Sequence, residues 1–196
     1  MFRLTPVVRN LIIINVVVFL IQTITKDQAT GYLALFNRES GLFQPYQLFT
    51  YMFAHGGFSH VFFNMLSLAF MGPILESFWG QKKFLIFYLI AGVGAGLFNF
   101  GIDYFTHSPP GMMVGASGAI YGLLMSFGMI FPNMEVQLLI PPIPIKAKYL
   151  VFLLGGLTFL MDRSGSVAHF AHLGGAVVGF IVVKAWRDQG QGGRPF

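Results

Sequence analysis

The chain has 196 residues, of which 55% are hydrophobic and only 10% charged, and its mean hydropathy is +0.69. A soluble domain carries about 25% charged residues, so this composition excludes a surface that faces water throughout, and the 24 glycines and 23 phenylalanines suit membrane helices. The net charge of +5 comes from 12 basic and 7 acidic residues that punctuate apolar runs instead of clustering with aromatics, which excludes nucleic-acid binding, and the lack of cysteine excludes a thiol nucleophile, disulfides and thiolate metal sites.

A helix that spans a bilayer needs about 20 mainly apolar residues. In chain order, six segments qualify: 7–25, 58–79, 83–105, 115–131, 147–161 and 168–186. The first follows Arg3 and Arg9 and leaves through Gln22, Thr23 and Lys26 with no small-residue cleavage pattern, so it reads as a retained signal anchor. Residues 26–57 hold Gly31, Arg38, Glu39, Gly41, Pro45 and His55. They are too polar to cross and too apolar to be simply solvated, which predicts an interfacial first loop. Pro109 and Pro110 precede the fourth segment, and Pro132, Pro141, Pro142 and Pro144 follow it, so the fourth helix is short. The expected architecture is an all-α membrane protein, one domain over 1–196, with a six-helix core over about 7–186 and a polar tail at 187–196.

Lys and Arg placement sets orientation. With the N-terminus cytoplasmic, nine basic residues fall inside (Arg3, Arg9, Lys82, Lys83, Lys146, Lys148, Lys184, Arg187, Arg194) and three outside (Lys26, Arg38, Arg163). This predicts a multi-pass protein of a bacterial inner membrane type, with both termini cytoplasmic.

Polar groups inside spans are costly and tend to be functional. Ser117 lies 15 residues before Pro132, His172 15 before Arg187, and Asn64 16 before Gly80. At about 1.5 Å per residue, all three sit roughly 22–24 Å above the inner boundary, in one layer under the outer face. Gly118 and Gly122, and likewise Gly175 and Gly179, are four apart, a spacing that lets helix backbones approach closely. His172 lies on the second of these stripes and Ser117 at the edge of the first, so a Ser–His contact between the helices is sterically open.

A serine hydroxyl needs a base to take its proton, and a neutral imidazole is the usual one. Asn64 offers a side-chain N–H, His60 shares its helix face, and Ser117 stands at a helix N-terminus where backbone N–H groups lack partners. Tyr121, one turn below Ser117, is placed to pack on His172. Asp103 and Asp162 lie near outer helix ends with nothing aiming them at His172, which predicts a dyad without an acidic third member. Glu76 reads as a structural hydrogen-bonding group. His169 and His172 lack the carboxylate or cysteine that a metal site would add, so no metal and no other cofactor is expected. A transporter would need broken helices in two related halves, which the sequence does not show.

At these residues the sequence resembles the rhomboid family of intramembrane serine proteases, over about residues 40–185. HGGFSHVFFNM at 55–65 is similar to the family's second-helix motif, GASGAIYG at 115–122 to its serine motif, and AHLGGAVVG at 171–179 to its histidine motif. The resemblance implies Ser117 as nucleophile and His172, not His169, as base. It implies His60, Asn64 and the Ser117 N–H at the oxyanion, Tyr121 stacked on the histidine, and His55 in a structural position. It also implies transmembrane protein substrates cut near the outer face, among membrane lipids, by the basic six-helix form. One departure stands out: many members carry a Trp-Arg pair where this chain has Tyr46 and Gln47 within PYQLFTYMF, which bears on how the first loop is anchored.

Overall fold

In the computed structural model of the chain, residues 3–137, 142–161 and 169–188 are described. Pro141, Asp162, Arg163, the 162–167 loop and the tail beyond Asp188 lie outside them. The first apolar segment forms α1 (Pro6–Ile24), followed by a short α2 (Gln28–Leu33), strand β1 (Leu35–Phe36), a 3₁₀ turn at Arg38–Ser40, α3 (Gln47–Thr50) and a second 3₁₀ turn at Tyr51–Phe53. Then come α4 (Phe58–Trp79), α5 (Gln81–Thr106), β2 (Met112–Met113), α6 (Ser117–Ile130), β3 (Glu135–Gln137), β4 (Pro144–Lys146), α7 (Ala147–Met161) and α8 (His169–Asp188). The fold is predominantly helical, with four short strands among the described residues. α1, α4, α5 and α8 are long and apolar enough to cross a membrane, and α6 and α7 are shorter apolar helices.

Helix boundaries follow local chemistry. α1 begins with Pro6, whose fixed φ and missing N–H suit the first helical position. Its first turn is completed from another helix: the Glu76 carboxylate accepts from Val7 N at 3.1 Å, Val8 N at 2.9 Å and the Thr5 hydroxyl at 2.5 Å. One turn earlier on α4, Gly72 leaves room for Val8; a Cβ there would lie 2.5 Å from Val8 Cγ2. The residue types at 72 and 76 therefore dock α1 together. α4 passes to α5 through one residue, Gly80, at φ +81°, a left-handed conformation that favours glycine.

Two short antiparallel strand pairs lie in segments the helical reading left as loops. β1 pairs antiparallel with β2 (Leu35 with Met113, Phe36 with Met112), tying the first long connection to the segment just before α6. β3 pairs antiparallel with β4 between α6 and α7.

α6 is the hub, packed by α4, α5, α7 and α8, and most of its residues are buried. Its close approaches come from small side chains on both flanks. On the α5 side, a Cβ at Gly118 would lie 2.6 Å from Ala95 Cβ, and one at Gly122 2.7 Å from Ala91 Cβ. On the α8 side, a Cβ at Gly175 would collide with the Gly118 carbonyl oxygen, and one at Gly179 would lie 2.7 Å from the Gly122 oxygen. The bundle's outward surface is apolar, with Phe152 on α7 71% exposed and Leu160 79% exposed, as suits helices that face hydrocarbon.

Candidate active site

Ser117 opens α6. The preceding Gly115 adopts φ +124°, and its N–H is held by the Tyr51 carbonyl at 2.9 Å. This turn sets Ser117 at the first helical position, where backbone N–H groups have no intrahelical acceptor and the helix dipole is positive. From α8, His172 Nε2 lies 2.9 Å from Ser117 Oγ. The glycine contacts below them, Gly118 with Gly175 and Gly122 with Gly179, bring the two backbones close enough for that distance. Both side chains are half-buried.

Tyr121, one turn along α6, stacks on His172 with ring centroids 4.2 Å apart and planes inclined by 12°. Its hydroxyl lies 3.1 Å from Thr158 Oγ1 on α7. Thr158 already donates to the Leu154 carbonyl at 2.7 Å, so the phenol is the donor in the Tyr121–Thr158 bond. The imidazole is thus braced from a third helix.

The α4 residues lie on the other side. Asn64 is buried and its Nδ2 has no hydrogen-bond partner among the described residues, an unusual state for a donor away from water. His60 Nε2 sits against the Gly115 backbone: a Cβ on that residue would be 2.6 Å from it and 3.7 Å from Asn64 Nδ2. His60 Nδ1 accepts from Gly56 N at 3.4 Å, which leaves the proton of the neutral ring on Nε2, facing the serine turn. His55 is 2% exposed, lies edge-on to His60 at 5.1 Å, and has both ring nitrogens buried without partners among the described residues. Burial, reinforced by the neighbouring His60, pushes its imidazole down to about 4, so His55 is a neutral packing group at ordinary pH.

His169 stands 6.4 Å from His172, nearly perpendicular to it, and borders two cavities. One, of 360 Å³, is lined by Asn37, Asn99, Asp103, Ser108 and Met113 beside the β1–β2 strand pair. The other, of 290 Å³, is apolar and lies between α7 and α8 against Tyr121, Phe159 and Leu173. Asp103 accepts from Asn99 Nδ2 at 2.8 Å on its own helix. Two polar groups from α4, one hydroxyl from α6 and one imidazole from α8 therefore meet at one end of the bundle. The arrangement can deprotonate an alcohol and offer donors to a nascent oxyanion.

The family model for the Rhomboid domain matches residues 42–187. The chain belongs to the rhomboid family. Among its curated relatives, the putative rhomboid protease YdcA of Bacillus subtilis is 30% identical over 190 residues, covering 92% of this chain and 88% of the relative. RHOMBOID-like protein 1 of Arabidopsis thaliana is 33% identical over 139 residues, or 71% of this chain and 34% of that protein. Rhomboid protease AarA of Providencia stuartii is 30% identical over 155 residues, or 69% of this chain and 53% of that protein. The chain thus spans about a third to a half of the last two and most of the first.

In this rhomboid-family chain the first loop is anchored by the residue that departs from the Trp-Arg pattern. Gln47 is 2% exposed. Its Oε1 accepts from Gln44 N at 3.0 Å and Phe36 N at 3.4 Å, and its Nε2 donates to the Leu42 carbonyl at 3.3 Å. The neighbouring Tyr46 is 50% exposed. The sequence marks Gln47 only as a departure that bears on the loop's anchoring, not as the anchor itself, and it gives no role to Thr158 or to the Ala91/Ala95 spacing on α5. The alanine spacing was legible as a small-residue stripe; nothing local distinguished Thr158 from other hydroxyls in apolar helices.

Proposed function

We propose that the protein is an intramembrane serine endopeptidase that cuts transmembrane proteins near the outer membrane face through a Ser117–His172 dyad. The single observation that carries this reading is the 2.9 Å contact between Ser117 Oγ and His172 Nε2, with the ring braced by Tyr121. His172 takes the Ser117 proton as Oγ attacks the scissile carbonyl. The tetrahedral oxyanion draws on Asn64 Nδ2–H, His60 Nε2–H and the Ser117 N–H. A buried donor with no partner among the described residues, as at Asn64, is preorganised to gain its bond only in the transition state. His172 then returns the proton to the leaving amine, and water with the same base releases the acyl group from Ser117.

On this reading α1, α4, α5, α6, α7 and α8 make six crossings of a single domain. Both termini are cytoplasmic, and the dyad end faces outward. The α1–α4 connection lies in the interface. α4 and α7 both pack on α6 beside the dyad, and a substrate helix approaches from the lipid between them. That direction supports cleavage of helices that unwind near the surface.

The test is labelling of the purified protein by a fluorophosphonate, followed by cleavage of a panel of tagged single-span proteins. Label on Ser117, lost in Ser117→Ala and His172→Ala together with cleavage, is the expected result. Label that persists in Ser117→Ala refutes the proposal.

A further inference from the structure

The outer end of α1 precedes the matched Rhomboid domain, which begins at residue 42, yet it reaches the site through one side chain. Gln22 is 1% exposed. Its Oε1 accepts from His55 N at 2.9 Å, and its Nε2 donates to His55 O at 3.2 Å and to Thr30 Oγ1 at 2.8 Å. The carboxamide thus pairs with both backbone groups of a single residue, as a neighbouring strand would. That clasp is what fixes His55 by hydrogen bonds, since its own buried ring nitrogens bond to nothing among the described residues and its ring is held by packing.

The next residue carries the effect forward. Gly56 gives its N–H to His60 Nδ1 at 3.4 Å, near the long limit of a hydrogen bond, so a small shift of the 55–56 backbone breaks it. Without that donor, nothing among the described residues keeps the ring proton on Nε2, the atom that lies against Gly115 beside Ser117. A neutral imidazole with its proton on Nδ1 presents an acceptor there, and an acceptor repels an oxyanion.

We propose that Gln22 is a positioning residue for the reaction: it clasps the His55 backbone so that Gly56 sets the His60 tautomer and holds its Nε2–H at the oxyanion. The inference rests on the protease reading and gives α1, which precedes the residues the family model matches, a part in positioning the site.

The experiment is a double-mutant cycle in the full chain, reading kcat and KM for cleavage together with the rate of fluorophosphonate labelling. Gln22→Met keeps the side-chain length and removes both hydrogen-bonding atoms. Against wild type it lowers kcat and the labelling rate about tenfold with KM unchanged, since the lost interaction exists only in the transition state. Against His60→Ala it changes neither, because the group it positions is already gone. Equal loss in both backgrounds, or no loss in either, overturns the proposal. Should Gln22→Met not fold, Thr30→Val decides: it removes the hydroxyl that orients the carboxamide, and the same one-sided loss supports the proposal while a two-sided loss refutes it. Wild type that shows no Ser117-dependent labelling would instead sink the protease reading, an outcome read before either variant is compared.

Discussion

Gly175→Ala is the perturbation with the most to say about the site. In the wild type the α8 backbone at Gly175 rests on the Gly118 peptide of α6. An added Cβ would collide with the Gly118 carbonyl oxygen and lie 2.8 Å from its carbonyl carbon and 3.2 Å from its Cα. All three atoms are backbone inside a helix, so no rotamer change relieves the clash. Ordinary contact begins near 3.4 Å, so even the carbonyl carbon asks for about 0.6 Å of separation, and the oxygen asks for more. His172 lies one turn before Gly175 and moves with it. Parting the helices by about 1 Å takes the 2.9 Å Ser117–His172 bond to near 4 Å, beyond hydrogen-bonding reach. A misplacement of that size costs about 10²-fold in rate, and overpacking costs about 1–3 kcal/mol in stability. Gly179→Ala is the graded control, since its Cβ would need about 0.7 Å of relief from the Gly122 oxygen at 2.7 Å, two turns below the dyad. The assay is the rate of Ser117 labelling by a fluorophosphonate, alongside thermal unfolding in detergent. The expected order is wild type, then Gly179→Ala, then Gly175→Ala, in both measurements. A folded Gly175→Ala protein that labels at the wild-type rate would refute the claim that helix contact sets the dyad distance.

Two further outcomes follow from other contacts. Thr158→Val keeps shape but removes the acceptor of the Tyr121 phenol, so it frees the ring that braces His172; kcat should fall severalfold with KM little changed, Thr158→Ser should restore it, and Tyr121→Phe should match the valine variant in a kinetic comparison. Glu76→Ala strands the buried Val8 N–H and the Val7 N–H at the start of α1, which should cost about 2–4 kcal/mol in unfolding measurements. Labelling per folded molecule should hold, because Glu76 lies 12 residues beyond Asn64 on α4, roughly 18 Å from it along the axis.

Much of the architecture was legible because apolar run length is a local property. The segment at 58–79 coincides with α4, and those at 7–25 and 147–161 differ from α1 and α7 by at most one residue at either end. The glycine pairs were legible for the same reason, since a spacing of four places them on one helix face whatever lies opposite. Gln22 was not. In the chain it reads as the polar exit of an apolar run, and its role depends on His55, 33 residues away. Glu76 could be named as a hydrogen-bonding group, but its partners, 68 to 71 residues earlier, could not.

What the chain by itself determined was which segments are apolar helices, where they end, and which of their faces are bare enough to touch. Hydropathy, proline and glycine act within a few residues, so the order of residues suffices for that. Only the tertiary structure decided which polar group meets which: the serine hydroxyl with the imidazole across 55 residues, the phenol with Thr158 across 37, and the Gln22 carboxamide with a loop backbone. Hydrogen bonds are short and directional, and a turn of one helix by a single residue swings a side chain by about 100°. Partner choice therefore exists only once all the helices are docked.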